Sequence, residues 1–231
     1  MTRTVTRTGT RTMTRTVPLG VLGATVEVDV GDAADDLEDL LQVVTIRVTE
    51  AGVDAAAGSL LMLHAACLAD ARSGTAVAFV APGGTGKTTL VRTLGPGRRY
   101  VTDETTAVAA DGRVVPYPKP LSLRRSAHSE PKTETAPGDL GLRAPDEPVR
   151  LGAVCLLDRR EDHRGAPTSW SPGTHDAVAA LVPHTSHLVD LDQPLRRLAA
   201  LLEAGGGLRV LTSRDASSLE PVLAGLLREG S

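Results

Sequence analysis

One stretch restricts the fold of this chain more than any other: "TAVAFVAPGGTGKTTLVRTL", residues 75–94. Its short, continuous apolar run reads as a buried strand. A glycine-rich turn follows. "KTTLVRTL" then has helical spacing, and Gly95-Pro96-Gly97 stops it after about two turns. Strand, turn and helix in that order aim several backbone N–H groups and the positive end of a helix at one point, which suits a phosphate. The gripping segment is Gly83, Gly84, Thr85, Gly86, Lys87, Thr88 and Thr89. Lys87 supplies a point charge for the β/γ-phosphates, and the Thr88 hydroxyl can ligate Mg²⁺. Ala81 stands where the general pattern G-x-x-x-x-G-K-[ST] has its first glycine. The alanine is costly only if that residue needs a positive φ.

Lysine occurs only at 87, 119 and 132, against 25 Lys plus Arg in all, so a lysine inside the loop is not a by-product of composition. With 231 residues, 41% of them apolar, the chain suits one fairly large domain built on Leu, Val and Ala. A net charge of −3 gives no nucleic-acid footprint over the whole chain. Residues 1–16, "MTRTVTRTGTRTMTRT", form a basic segment with no apolar face and read as a disordered leader. No run reaches the ~18 apolar residues of a membrane helix. No secretory pattern follows the basic residues. Cys67 and Cys155 sit in apolar runs as buried thiols, with no disulfide framework. A cytoplasmic protein without membrane partners is expected.

Residues 17–231 read as one domain with a small β-rich N-terminal part, 17–58. Within that part, 19–32 gives one or two strands, 35–44 a short helix and "TIRVTE", 45–50, another strand. From residue 60 onward strands and helices alternate, so the domain is α/β. A hairpin turns at Asp111-Gly112. Residues 126–148 form a long polar loop, and Ser217 or Ser218 caps the last helix.

"RRYVTDE" ends a strand in Asp103-Glu104, about 15 residues after the loop. A carboxylate at such a strand end meets Mg²⁺ beside the loop threonine. With two in a row, one can hold the metal while the other takes the proton from an attacking hydroxyl. His64, in "LMLHAACL", lies in the strand before the loop strand; alone, it reads as an ordinary core histidine. The chain contains no asparagine, so the Asn-Lys-x-Asp base reader of GTPases is missing, and so is the Leu-Ser-Gly-Gly signature of ABC-type ATPases. A phosphotransferase or small-molecule kinase remains.

Taken together, "LHAACLADARSGTAVAFVAPGGTGKTTLVRTLGPGRRYVTDETTAV" resembles the catalytic core of HPr kinase/phosphorylase over roughly residues 60–125. The loop is also similar to that of phosphoenolpyruvate carboxykinases. "PYPKPLSLR" at 116–124 and "LDRR" at 157–160 are similar to segments of short, stand-alone HPr-kinase-like proteins. The resemblance implies a P-loop domain with a mixed sheet and flanking helices. It implies an ATP- and Mg²⁺-dependent serine kinase acting on a peptide or protein hydroxyl, in some relatives during biosynthesis of ribosomally made peptides such as lasso peptides. It brings His64 into the active site with Lys87 and makes Asp103 the general base and Glu104 a metal or neighbouring ligand, the two roles being exchangeable. Lys119, Arg124 and Arg159 become candidate phosphate or substrate contacts, and a homo-oligomer is open. Glu104 stands where HPr kinase has Asp, Gly84 where Ser is common. The C-terminal segment that holds HPr is not evident, which argues against HPr as substrate. A non-catalytic ATP-binding module and a kinase for a free metabolite are the alternatives.

Overall fold

The computed structural model describes residues 15–28, 37–124 and 132–229. Residues 1–14 of the expected leader, the start of the polar loop and Arg125 lie outside them. The chain first makes a hairpin of β1 (Arg15–Val21) and β2 (Ala24–Val28), joined through Leu22 and Gly23, both at positive φ. Helix α1 (Leu37–Ala55) follows and overturns the strand expected at 45–50. The β-branched run carries a mild helix penalty, a few tenths of a kcal/mol per residue. Burial outweighs it: Val48 and Gly52, one turn apart, pack on the β1–β2 hairpin in a cluster with Val21, Val26, Met62 and Tyr117. Thr49 adds a buried hydrogen bond with the Tyr117 hydroxyl at 2.7 Å.

The α/β part then runs β3 (Leu61–Ala69), β4 (Thr75–Val80), α2 (Lys87–Leu94), β5 (Arg99–Thr102), β6 (Thr105–Val108) and β7 (Arg113–Val115). The turn at Asp111-Gly112 joins β6 and β7 as expected. Next come β8 (Leu121–Leu123) and β9 (Thr133–Thr135), a small antiparallel pair; β9 lies in the stretch expected to be all loop. β10 (Val149–Arg159), β11 (Thr168–Trp170), α3 (Thr174–Leu181), β12 (Thr185–Ser186), α4 (Pro194–Ala204), β13 (Leu208–Ser213) and α5 (Glu220–Glu229) complete the chain. Neither serine caps α5 through its side chain; the Asp215 carboxylate accepts the Ser218 N–H at 3.0 Å and the Ser217 hydroxyl at 2.7 Å.

The main sheet is mixed, with nine strands. Its path is β11-β13-β10-β4-β3-β6-β7, and β5 and β12 also pair with β3. β4, β10 and β13 are parallel neighbours, and β3 runs antiparallel to β4. The start of β10 also pairs with β7, so this half of the sheet rolls back on itself. One core packs α2 and α5 on one sheet face around Phe79, Leu90, Tyr100 and Leu223. The other packs α3 and α4 around Leu63, Val80, Leu181 and Leu198. No helix among the described residues is long and apolar enough to cross a membrane.

Candidate functional site

The loop leaves the C-terminal end of β4 between two buried cores, so its backbone position is fixed by packing. Gly84 (φ +78°) and Gly86 (φ +102°) occupy left-handed backbone that a Cβ would strain. Ala81 is not at positive φ, so the missing first glycine costs this loop nothing. Gly86 is the N-cap of α2, whose first turn contains no acidic residue, so its free N–H groups and dipole are uncompensated by side chains. Lys87 folds back over the loop: its Nζ donates to the Ala81 carbonyl at 2.6 Å and the Pro82 carbonyl at 3.1 Å. Burial lowers its pKa to about 8, against the raising influence of Glu104 and Asp103.

Register explains how the distant candidates meet. Ala65 of β3 pairs with Val80, the last residue of β4, so His64 lies one residue beyond, level with the start of the loop. On the other side of β3, β5 pairs with Cys67–Ala69 and β6 with Leu61–His64. Asp103 and Glu104 span the break between those two strands, and the Glu104 carbonyl accepts the Ala65 N–H at 3.0 Å. His64, the loop and both acids therefore share one level of the sheet. Burial, then Lys87, lower the pKa of His64, opposed by Glu104; burial and Lys87 do the same at His184.

The acids differ in environment. Asp103 is 4% exposed. Its Oδ2 accepts the Thr88 hydroxyl at 2.7 Å and its Oδ1 the buried Tyr100 hydroxyl at 3.0 Å. Lys119 Nζ lies 3.3 Å from Asp103 Oδ1 and 3.1 Å from Glu104 Oε2. Burial opposes the charge on Lys119, but Asp103 and Glu104 outweigh it and raise its pKa. Burial beside Asp103 pushes the Tyr100 phenol far above its ordinary range. The Glu104 side chain keeps 41% of its surface exposed.

These groups line a cleft of ≈ 510 Å³. It holds His64, Gly83, Gly84, Gly86, Lys87, Thr88, Thr89, Asp103, Glu104, Lys119 and Arg124. Arg159 lies at the end of β10 outside the cleft lining; its guanidinium is 3.7 Å from where a Gly86 Cβ would be, and its Nε donates to the Arg214 carbonyl at 3.2 Å. His187 points elsewhere, with Nδ1 2.9 Å from Asp190 and Nε2 3.0 Å from Asp54. Sequence reasoning missed several lining residues: Gln42, Thr45 and Ile46 of α1, Ser122 of β8 and Lys132 on one wall, and Arg92 of α2. The 3.6-residue spacing of Val44, Val48 and Ala51 was the available signal for α1. Tyr100 gave none, because its role depends on a tertiary neighbour. The hard oxygen pair of Thr88 and Asp103, 2.7 Å apart, fits Mg²⁺, which takes one or two protein oxygens and leaves the rest to phosphate and water.

No family model matches the chain, and no curated protein matches it. Among solved structures, the Hpr(Ser) kinase/phosphatase from Coxiella burnetii is similar at 12% identity and a TM-score of 0.37, over 73% of this chain and 94% of that one. The site assignments rest on the distances above.

Proposed function

We propose that this chain is an ATP- and Mg²⁺-dependent phosphotransferase that phosphorylates a hydroxyl of a peptide or protein. The observation that carries the reading is the Thr88–Asp103 contact at 2.7 Å, which joins the phosphate loop to the acid pair at the mouth of one cleft. A phosphate loop alone binds; a loop joined to a carboxylate, with a second carboxylate open to the cleft, can also transfer.

Thr88 and Asp103 would hold Mg²⁺, which when bound would supply positive charge against the β- and γ-phosphates. Lys87 leaves its loop carbonyls for those oxygens, and the amides of Gly83–Thr89 cradle them. The acid roles are best exchanged relative to the first expectation. Both Asp103 oxygens are engaged at 2.7 and 3.0 Å and the residue is 4% exposed, whereas Glu104 faces the cleft. Glu104 takes the proton of the acceptor hydroxyl as the new O–P bond forms; the bond from the γ-phosphorus to the bridging oxygen breaks, and ADP leaves with its electron pair. His64, level with the loop, lies beside the path of the transferring group.

The test is γ-labelled ATP with a panel of serine peptides, including ribosomal precursor peptides. Glu104→Gln should lose more than 100-fold in transfer and keep its ATP affinity; Lys87→Ala should lose both. Full transfer by Glu104→Gln removes the base assignment. A binding-only regulatory module is the second reading, favoured by the Lys119 ammonium bridging both carboxylates. Tight ATP binding by calorimetry with no transfer to any acceptor would establish it.

A further inference from the structure

Among the described residues, Ser122 is the one serine in the lining of the cleft, and the reaction proposed above does not use it. Strand geometry puts it there. Ser122 is the middle residue of β8. Leu121 turns into the core with Leu90 and Tyr100, and Leu123 packs against the same cluster. Successive side chains of a strand point to opposite faces, so Ser122 is turned away from that core and toward the cleft. Its partner across the β8–β9 ladder is Glu134. Paired residues of neighbouring strands share a face, and the Ser122 hydroxyl donates to Glu134 Oε1 at 2.5 Å.

That length is typical of a hydroxyl bonded to a charged carboxylate. Burial raises the Glu134 pKa, against the lowering influences of Ser122 and Lys119. A carboxylate held above its ordinary range is a better proton acceptor near neutral pH. A serine hydrogen-bonded to such a base is an activated nucleophile. The approach to β8 is fixed at the reacting end of the cleft. Lys119, which precedes the strand, holds its ammonium 3.3 Å from Asp103 and 3.1 Å from Glu104. The segment therefore leaves the acid pair and carries Ser122 and its carboxylate into the same cleft that Gly83, Gly84, Gly86, Lys87 and Thr88 line.

We propose that Ser122 is an internal phosphate acceptor: with ATP in the cleft, the chain transfers a phosphoryl group to its own Ser122 hydroxyl. The inference rests on the phosphotransferase reading for the donor. Glu134 takes the hydroxyl proton as the Ser122 oxygen bonds to the γ-phosphorus. The bond from that phosphorus to the β,γ-bridging oxygen breaks, and ADP leaves with its electron pair. Glu134 then releases the proton to water. Glu104 remains the base for an external hydroxyl, so the two acceptors draw on different carboxylates.

The experiment incubates the purified full chain with γ-labelled ATP and Mg²⁺ without any acceptor and maps the phosphate by fragmentation mass spectrometry. The serine peptide panel is run in parallel. Phosphate should appear on Ser122, at a rate per molecule that does not change with protein concentration, because donor and acceptor share one cleft. Ser122→Ala should lose that phosphate. Glu134→Gln should slow its appearance about 100-fold, and both variants should bind ATP within about twofold of wild type by calorimetry. Phosphate on other residues only, or a rate per molecule that rises in proportion to concentration, overturns the internal acceptor. Labelling of Glu134→Gln at the wild-type rate overturns the assigned base. Transfer to a peptide while Ser122 stays unmodified overturns the inference and leaves the phosphotransferase reading standing. ATP binding with phosphate on neither the chain nor any peptide removes both.

Discussion

Lys87 should make the stability of the free protein depend on pH in a way that can be read directly. The residue is 7% exposed, and burial lowers its pKa from 10.5 to about 8. In the unfolded chain the side chain keeps its proton to about 10.4. Between those values the unfolded state binds more protons, so stability rises with pH there. The full difference corresponds to about 3 kcal/mol, with nearly all of it expressed by pH 10.5. Lys87→Met removes the titration, along with the bonds to Ala81 and Pro82, whose loss shifts the whole curve. Urea denaturation of both proteins from pH 7 to 10.5, without nucleotide, isolates the titration. The wild-type curve should climb relative to the variant by about 2–3 kcal/mol above pH 8. Parallel curves would refute the argument that the loop lysine is held desolvated. The same linkage makes ATP binding at pH 9 take up close to one proton, because phosphate oxygens restore the charge. Calorimetry in two buffers of different ionisation enthalpy reads that uptake.

Other consequences follow from single positions. Ala81→Gly should leave ATP affinity within twofold and lower stability by about 0.5–1 kcal/mol in denaturant melts, because the residue does not sit at positive φ. Lys119→Met leaves the 4%-exposed Asp103 without its cation and should cost about 3–5 kcal/mol in the same melts. His187 has its pKa raised by Asp190 and Asp54; its ion pairs therefore stabilise fully below about pH 6.5 and are lost as pH rises through the raised value. Thermal melts of His187→Gln should fall below wild type at pH 5.5 and converge with it by pH 8.5.

The sheet level that gathers His64, the loop and the acid pair was legible in outline, because each member sits on a short, strongly patterned strand or at its end. The difference in environment between Asp103 and Glu104 was not. It depends on Tyr100 and Lys119, whose contacts cross the fold. Helix α1 was half legible: Val44, Val48 and Ala51 carry helical spacing, but β-branched Thr45, Ile46, Val48 and Thr49 imitate a strand, and only packing on the β1–β2 hairpin decides between them. The error hid one wall of the cleft. Ser217 and Ser218 looked like caps because capping residues are chosen by type, whereas Asp215 wins by position.

β3 carries most of this architecture. It is held by β4 and β12 along one edge and by β5 and β6 along the other, so a one-residue slip would turn every side chain of a closely packed strand to the wrong face. The groups proposed to handle phosphate are locked to that register and cannot drift without unfolding the core. The wall made by α1 and the β8–β9 pair has no such lock. Divergence among chains of this kind should accordingly preserve the loop end of the cleft and rewrite its far side first.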